Sequence, residues 1–120
     1  MTSDSFSSSL RAYRERGFFK EIKILRGIER ESLRVDKNGK ISQKNHPKNL
    51  GSPLTNSDIT TDFAEALVEL VTPTFESPEE LFDHLNLLHR FLYSELVDEM
   101  LWNFSMPCAF TNEKEIRIAE

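Results

Sequence analysis

Leucines at 81, 85, 88, 92 and 96 recur every three or four residues, the spacing that lines up side chains along one face of a helix. Ser77-Pro78-Glu79-Glu80 supplies its start: a capping hydroxyl, proline at the first helical position and glutamate at the third. The pattern predicts a long helix from there to about Leu101, with Phe82, Phe91 and Met100 widening an apolar stripe that buries against a sheet. Upstream, Leu25, Ile28, Leu33 and Val35 suit a strand over roughly Ile24 to Val35. Asp36-Lys37-Asn38-Gly39-Lys40 then forms a tight turn, and Ile41 begins a return strand. Leu10, Tyr13 and Phe18 predict a short amphipathic helix ending near Gly17, after a loose Met1–Ser9. Gln43 to Asp58 is polar, with two prolines and Gly51, and reads as a loop. Thr61 to Val71 fits two periods. Phe63, Leu67 and Leu70 have helical spacing behind an Asp62 cap with Glu65 completing a capping box, whereas Glu65, Leu67, Glu69 and Val71 alternate as in a strand. The predicted class is α+β, antiparallel strands with one long packed helix.

Composition narrows the functional classes. With 38% hydrophobic and 29% charged residues and a net charge of −5 at pH 7, the chain reads as globular and offers no basic surface for nucleic acid. Its early basic residues, Arg11 to Arg26, are interleaved with acids and apolar residues, as on a solvated helix face. No apolar run approaches the roughly 20 residues needed to cross a bilayer, and the serine-rich start lacks a signal-peptide core, so the expected compartment is the cytoplasm, without membrane partners. A lone cysteine, Cys108, makes no internal disulfide and reads as a packed thiol, since no histidine accompanies it in a nucleophilic arrangement.

The candidate chemistry sits in Gly27-Ile28-Glu29-Arg30-Glu31-Ser32-Leu33-Arg34-Val35. On a strand, Glu29 and Glu31 share a face; on a helix they would diverge. Like charges on one face repel, an arrangement suited to a cation between them, and the pair suggests a Mg²⁺ site. The alternative is a solvated strand on which Arg30 and Arg34 offset the acids. Other metal readings fail: the Asp36 turn lacks the spaced acids and terminal glutamate of a calcium loop, and His84 and His89 are five apart, off the one-face spacing of a helical zinc pair. Asn103-Phe104-Ser105 matches a glycosylation acceptor that a cytoplasmic chain does not use.

That stretch, with Ile59-Thr60-Thr61-Asp62-Phe63-Ala64-Glu65-Ala66-Leu67-Val68-Glu69 and, in order, His46-Pro47, Leu50-Gly51-Ser52, Thr72-Pro73, Leu88-His89-Arg90 and Trp102-Asn103-Phe104-Ser105-Met106-Pro107-Cys108, resembles glutamate–cysteine ligase of the gamma-proteobacterial type, from about 26 to 108. The resemblance implies a glutamine-synthetase-like (carboxylate–amine ligase) fold, of which residues 1–120 are the amino-terminal portion of a single catalytic domain. It implies ATP-dependent joining of L-glutamate, through its gamma-carboxylate, to L-cysteine, giving gamma-glutamylcysteine. It makes Glu29, Glu31, Asp62 and Glu69 Mg²⁺ ligands, places Phe63 beside the cysteine substrate, and favours the strand reading of the 61–71 stretch. His46 is expected to be a loop residue or, alternatively, a substrate contact. No catalytic group is implied apart from the metal ligands. Enzymes of this family are several times longer than 120 residues, so a truncated, inactive part is expected, with open sheet edges available for self-association. Two alternatives remain: a non-catalytic binding module or relic of the ligase, and a related ligase with another amine substrate.

Overall fold

The computed structural model describes residues 3–119. Its centre is a four-stranded antiparallel sheet of order β2-β3-β1-β4, where β1 is Glu29–Val35, β2 Ile59–Thr60, β3 Leu67–Val71 and β4 Met100–Trp102. β1 pairs with β3 through Glu29↔Val71, Arg30↔Leu70, Glu31↔Glu69, Ser32↔Val68 and Leu33↔Leu67. β4 lies on the other side of β1, with Leu33↔Trp102, Arg34↔Leu101 and Val35↔Met100, and β2 closes the far edge with Thr60 opposite Glu69.

One face of this sheet is covered by α3, Pro78–Glu95. Its leucines 85, 88 and 92, with Leu96, pack on Val68 and Leu70 of β3, Ile59 of β2, Leu101 of β4 and Leu50, forming the main core. Burial is nearly complete at Leu92, Leu70, Val68 and Ile59. The predicted helix start holds: the Ser77 hydroxyl accepts from the Glu80 amide, with proline following the cap. Its predicted end does not. Leu96 is already extended (φ −87°, ψ 92°), and Met100 to Trp102 leave the helix to pair with β1, because four residues of chain are enough to turn the apolar sequence into an edge strand. Phe82, Phe91 and Met100, expected to widen the buried stripe, are exposed; the leucines alone fill the seam.

The first strand is shorter than expected. Ile24 and Leu25 are exposed, Arg26 forms an isolated bridge to Phe75, and regular pairing begins only at Glu29. Between them Gly27 lets the chain pass close to its neighbour: a Cβ there would lie 3.4 Å from the Thr72 carbonyl oxygen. The turn after β1 forms as expected, with the Asp36 carboxylate accepting from the amides of Asn38 and Lys40 and Gly39 taking a positive φ of 75°. Those backbone bonds hold the Asp36 carboxyl below its usual range. Ile41, expected to begin a return strand, makes only an isolated bridge to Val35 and inserts its side chain into a second cluster with Val35, Ala66 and Cys108.

At the other end, α1 (Ser3–Glu15) and α2 (Phe18–Glu21) meet at Gly17, whose φ of 71° makes the turn. Helix thus replaces the loose segment expected up to Ser9, Met1 and Thr2 lying outside the described residues; serines between Leu10 and Phe6 bond back to the Ser5 carbonyl inside the helix and do not break it. The 43–58 stretch is a loop, as predicted, interrupted by one 3₁₀ turn, Lys48–Leu50, that buries Leu50.

Candidate functional site

The register brings the predicted acids together. Glu31 and Glu69 stand directly opposite each other on β1 and β3, a position that puts Cβ atoms about 5 Å apart. Alternation along β1 places Glu29 on the same face, which is the one α3 does not cover. Asp62 is exposed in the bend that joins β2 to β3. Phe63 follows it, 69% exposed, its carbonyl accepting from the Ala119 amide.

Electrostatics tie the four into one group. The Glu69 carboxyl is pushed above its ordinary value, first by partial burial and then by the negative charges of Glu31, Glu29 and Asp62. Among the described residues none of these four carboxylates takes part in an ion pair. The arginines that a plain solvated strand would turn on them point elsewhere. Arg30 donates to the Asn103 side chain, and Arg34 enters the covered face to meet Glu99 at 2.8 Å. The charge-offset alternative therefore lacks its cations. Among the described residues no three His, Cys, Asp or Glu side chains converge as a ready-made ligand set, so the acids form an electronegative face and not a closed cage. Four carboxylates with no ion-pair partner among the described residues match the chemistry of Mg²⁺, a hard cation that keeps several positions for water and phosphate oxygens and rarely takes an all-protein shell.

The 61–71 stretch resolves into bend plus strand. Leu67–Val71 is β3, alternating between the covered and open faces. Glu65, the capping residue of the helical alternative, is instead buried, its carboxylate accepting from the His46 amide at 2.8 Å. His46 is a half-buried loop residue; burial lowers the pKa of its imidazole, with the Arg34 charge acting in the same sense and Glu65 opposing. Of the remaining candidates, His84 stacks near Phe75, His89 bonds its own helix at the Leu85 carbonyl, and Cys108 is a packed thiol whose pKa burial raises.

Sequence patterning did not single out a buried polar cluster beside the acids. Arg34 and Glu99 are both essentially inaccessible, at 0% and 6% side-chain exposure. Arg34 also donates to the carbonyls of Lys44, Asn45 and Glu65, while Ser42 donates to Glu99. The only available signal was an arginine at a strand position whose alternation points inward.

Comparison with known proteins identifies the family. The profile of the glutamate-cysteine ligase family matches residues 9–120. A glutamate–cysteine ligase of Pseudomonas putida strain W619 is 51% identical over 96 residues, covering 80% of this chain and 18% of its own length. That of Wigglesworthia glossinidia brevipalpis is 51% identical over 98 residues, 82% of this chain and 19% of the relative. Among solved structures, glutamate–cysteine ligase of Francisella tularensis in complex with AMP superimposes with a TM-score of 0.75 at 43% identity, over 79% of this chain and 19% of that one. A bifunctional glutathione synthetase of Pasteurella multocida gives 0.74 at 36% identity, over 78% and 13%. The chain thus spans under a fifth of the length of these curated relatives. With a match over nearly all its residues, it belongs to the glutamate–cysteine ligase family.

Proposed function

We propose that this protein supplies the acidic face of an ATP-dependent ligase that joins the gamma-carboxylate of L-glutamate to the amine of L-cysteine, giving gamma-glutamylcysteine for glutathione synthesis in the cytoplasm. The observation that carries this reading is Glu31 directly opposite Glu69 on the sheet face that α3 leaves open, with Glu29 on the same face and Asp62 near enough to act on Glu69, and with no ion-pair partner for any of them among the described residues. Family membership and the AMP complex of the Francisella relative support it. On this reading the segment is part of a glutamine-synthetase-like catalytic domain, and further ligands and the phosphate-holding cations come from the rest of that domain.

Bound Mg²⁺ would neutralise the crowded charge of a triphosphate and of the gamma-carboxylate receiving its phosphoryl group. The side chains here do the positioning. Glu31 and Glu69, fixed by a strand register, define one edge of the electronegative face, and Glu29 extends it along β1. Asp62 reaches it from the bend between β2 and β3. Phe63, next to Asp62 and projecting into solvent, offers an apolar wall for the cysteine side chain. The chemistry is attack of the amine on a phosphorylated carboxylate with phosphate leaving, so charge stabilisation and alignment are what the acids contribute.

The test is phosphate release dependent on ATP, glutamate and cysteine, in the longer protein that carries this segment. Glu29→Gln with Glu31→Gln should lower the rate at fixed Mg²⁺ by more than the roughly 10- to 100-fold that altering groups behind metal ligands costs. An unchanged rate in the double variant would remove the metal assignment, and phosphate release with a different amine but not cysteine would redirect the substrate.

A further inference from the structure

We infer that Arg34 is a positioning residue for Asp62: its buried guanidinium clasps the bend that carries Asp62 to the strand that carries Glu29 and Glu31. This rests on the metal-binding reading of the acidic face and adds to it a group that touches neither metal nor substrate.

The bend from Thr61 to Ala66 belongs to no strand and pairs only through an isolated bridge of Ala64 to Ile118, so the remaining individual bonds decide how it lies against β1. Two come from a single residue of β1: the Arg34 amide donates to the Ala66 carbonyl at 2.7 Å, and its Nη2 donates to the Glu65 carbonyl at 2.7 Å. The same guanidinium reaches the carbonyls of Lys44 at 3.1 Å and Asn45 at 3.2 Å, and the next residue, His46, returns its amide to the Glu65 carboxylate. On the outside, Arg117 donates to the Gln43 carbonyl and the Asn45 side chain, while its own carbonyl accepts from the Glu65 amide. Arg34 is thus the point where β1, the 42–46 loop, the bend and the Glu99 segment meet.

Stability alone gives a weak reason for such a group. A buried ion pair recovers little beyond its desolvation, and apolar side chains of similar volume serve as well or better. Apolar side chains, however, do not fix the direction of a carbonyl. The two terminal nitrogens of a planar guanidinium do, and the fixed Glu65 carbonyl lies three residues after Asp62 on the same bend.

Arg34→Lys separates orientation from charge, because an ammonium still meets Glu99 but lacks the fork that serves three carbonyls in two directions. In the complete protein carrying this segment, free of nucleotide and amino acids, the dissociation constant for Mn²⁺ should rise 10- to 100-fold, the range found when groups behind metal ligands are altered. The amides of Glu65 and Leu67 should lose hydrogen-exchange protection in the metal-free protein. In Arg34→Lys with Asp62→Asn, Mn²⁺ should bind no more weakly than in Asp62→Asn alone, since one acts through the other. If Arg34→Lys fails to fold, Arg117→Gln loosens the same clasp from its outer side and should show a smaller weakening with the same dependence on Asp62. Fully additive effects, or unchanged Mn²⁺ affinity in the folded variant, would overturn the clasp. Mn²⁺ binding insensitive to Asp62→Asn itself would instead overturn the metal reading beneath it.

Discussion

The two faces of β1 handle charge in opposite ways. On the face under α3, Arg34 is sealed from water and met within the chain by Glu99 and by backbone carbonyls. On the open face, Glu29 and Glu31 approach Glu69 and Asp62, and partial burial followed by this repulsion raises the Glu69 pKa. A charge that is removed from solvent has to be answered by the protein itself. A cluster left in solvent has no such requirement, and leaving it uncompensated keeps an attractive potential available to something that arrives from outside. Neighbouring residues of one strand therefore carry a charge answered inside the fold and, on the proposed reading, a functional one, separated by the two-residue period of the side chains.

Breaking the internal answer should have the larger effect. Arg34→Met leaves Glu99 buried without its cation and should cost about 3–5 kcal/mol in urea unfolding, whereas adding Glu99→Leu should recover most of that loss. No recovery in the double variant would mean that the carbonyl contacts of Arg34, and not its ion pair, dominate. On the open face the sign reverses: without divalent cation, Glu31→Gln should stabilise the fold by a few tenths of a kcal/mol, up to about 1, by relieving a directly opposed pair of like charges. Saturating Mg²⁺ should cancel or invert that gain.

The smallest effect is in pH. A carboxyl whose pKa in the folded state lies above its unfolded value keeps its proton longer when folded, so the folded state binds more protons between the two values and stability falls as pH rises through that window. For Glu69 the window opens at the ordinary carboxyl value of 4.5 and runs upward. Subtracting the pH–stability curve of Glu69→Gln from that of the metal-free protein should isolate this decline, which should disappear when Mg²⁺ is bound. Asp36 and Glu115, both held below the usual range by backbone amide donors, act in the opposite sense and at lower pH, which is why the difference curve is needed.

Local sequence revealed the parts of this molecule that depend on local rules. The Ser77 cap, the leucine stripe of α3, the Asp36 turn and the shared face of Glu29 and Glu31 all follow from side-chain chemistry and period. The strand at Leu67–Val71 required more, since its residues also fit a helix and family resemblance favoured the strand. What remained hidden depends on distant partners. Arg34 read as a counter-charge for its neighbours, but its carboxylate is 65 residues away at Glu99. The end of α3 was hidden for the same reason: Met100–Trp102 continues an apolar pattern compatible with a helix, and only the free edge of β1 draws it into a strand. Opposition of Glu31 and Glu69 is a fact of register, which neither segment contains alone.

Trp102 is the sole tryptophan of the chain, opposite Leu33 on the edge strand β4, with its ring 3.3 Å from where a Cβ on Gly39 would stand and its indole nitrogen donating to the Met106 carbonyl. A single fluorophore at that seam makes the optical signal of this protein a report on one junction, the closure of the edge strand over the β1 turn. Emission followed during unfolding will time the arrival of β4, while far-ultraviolet dichroism, dominated by the helices, follows the remainder. A lag between the two would show the edge strand docking onto a sheet already formed.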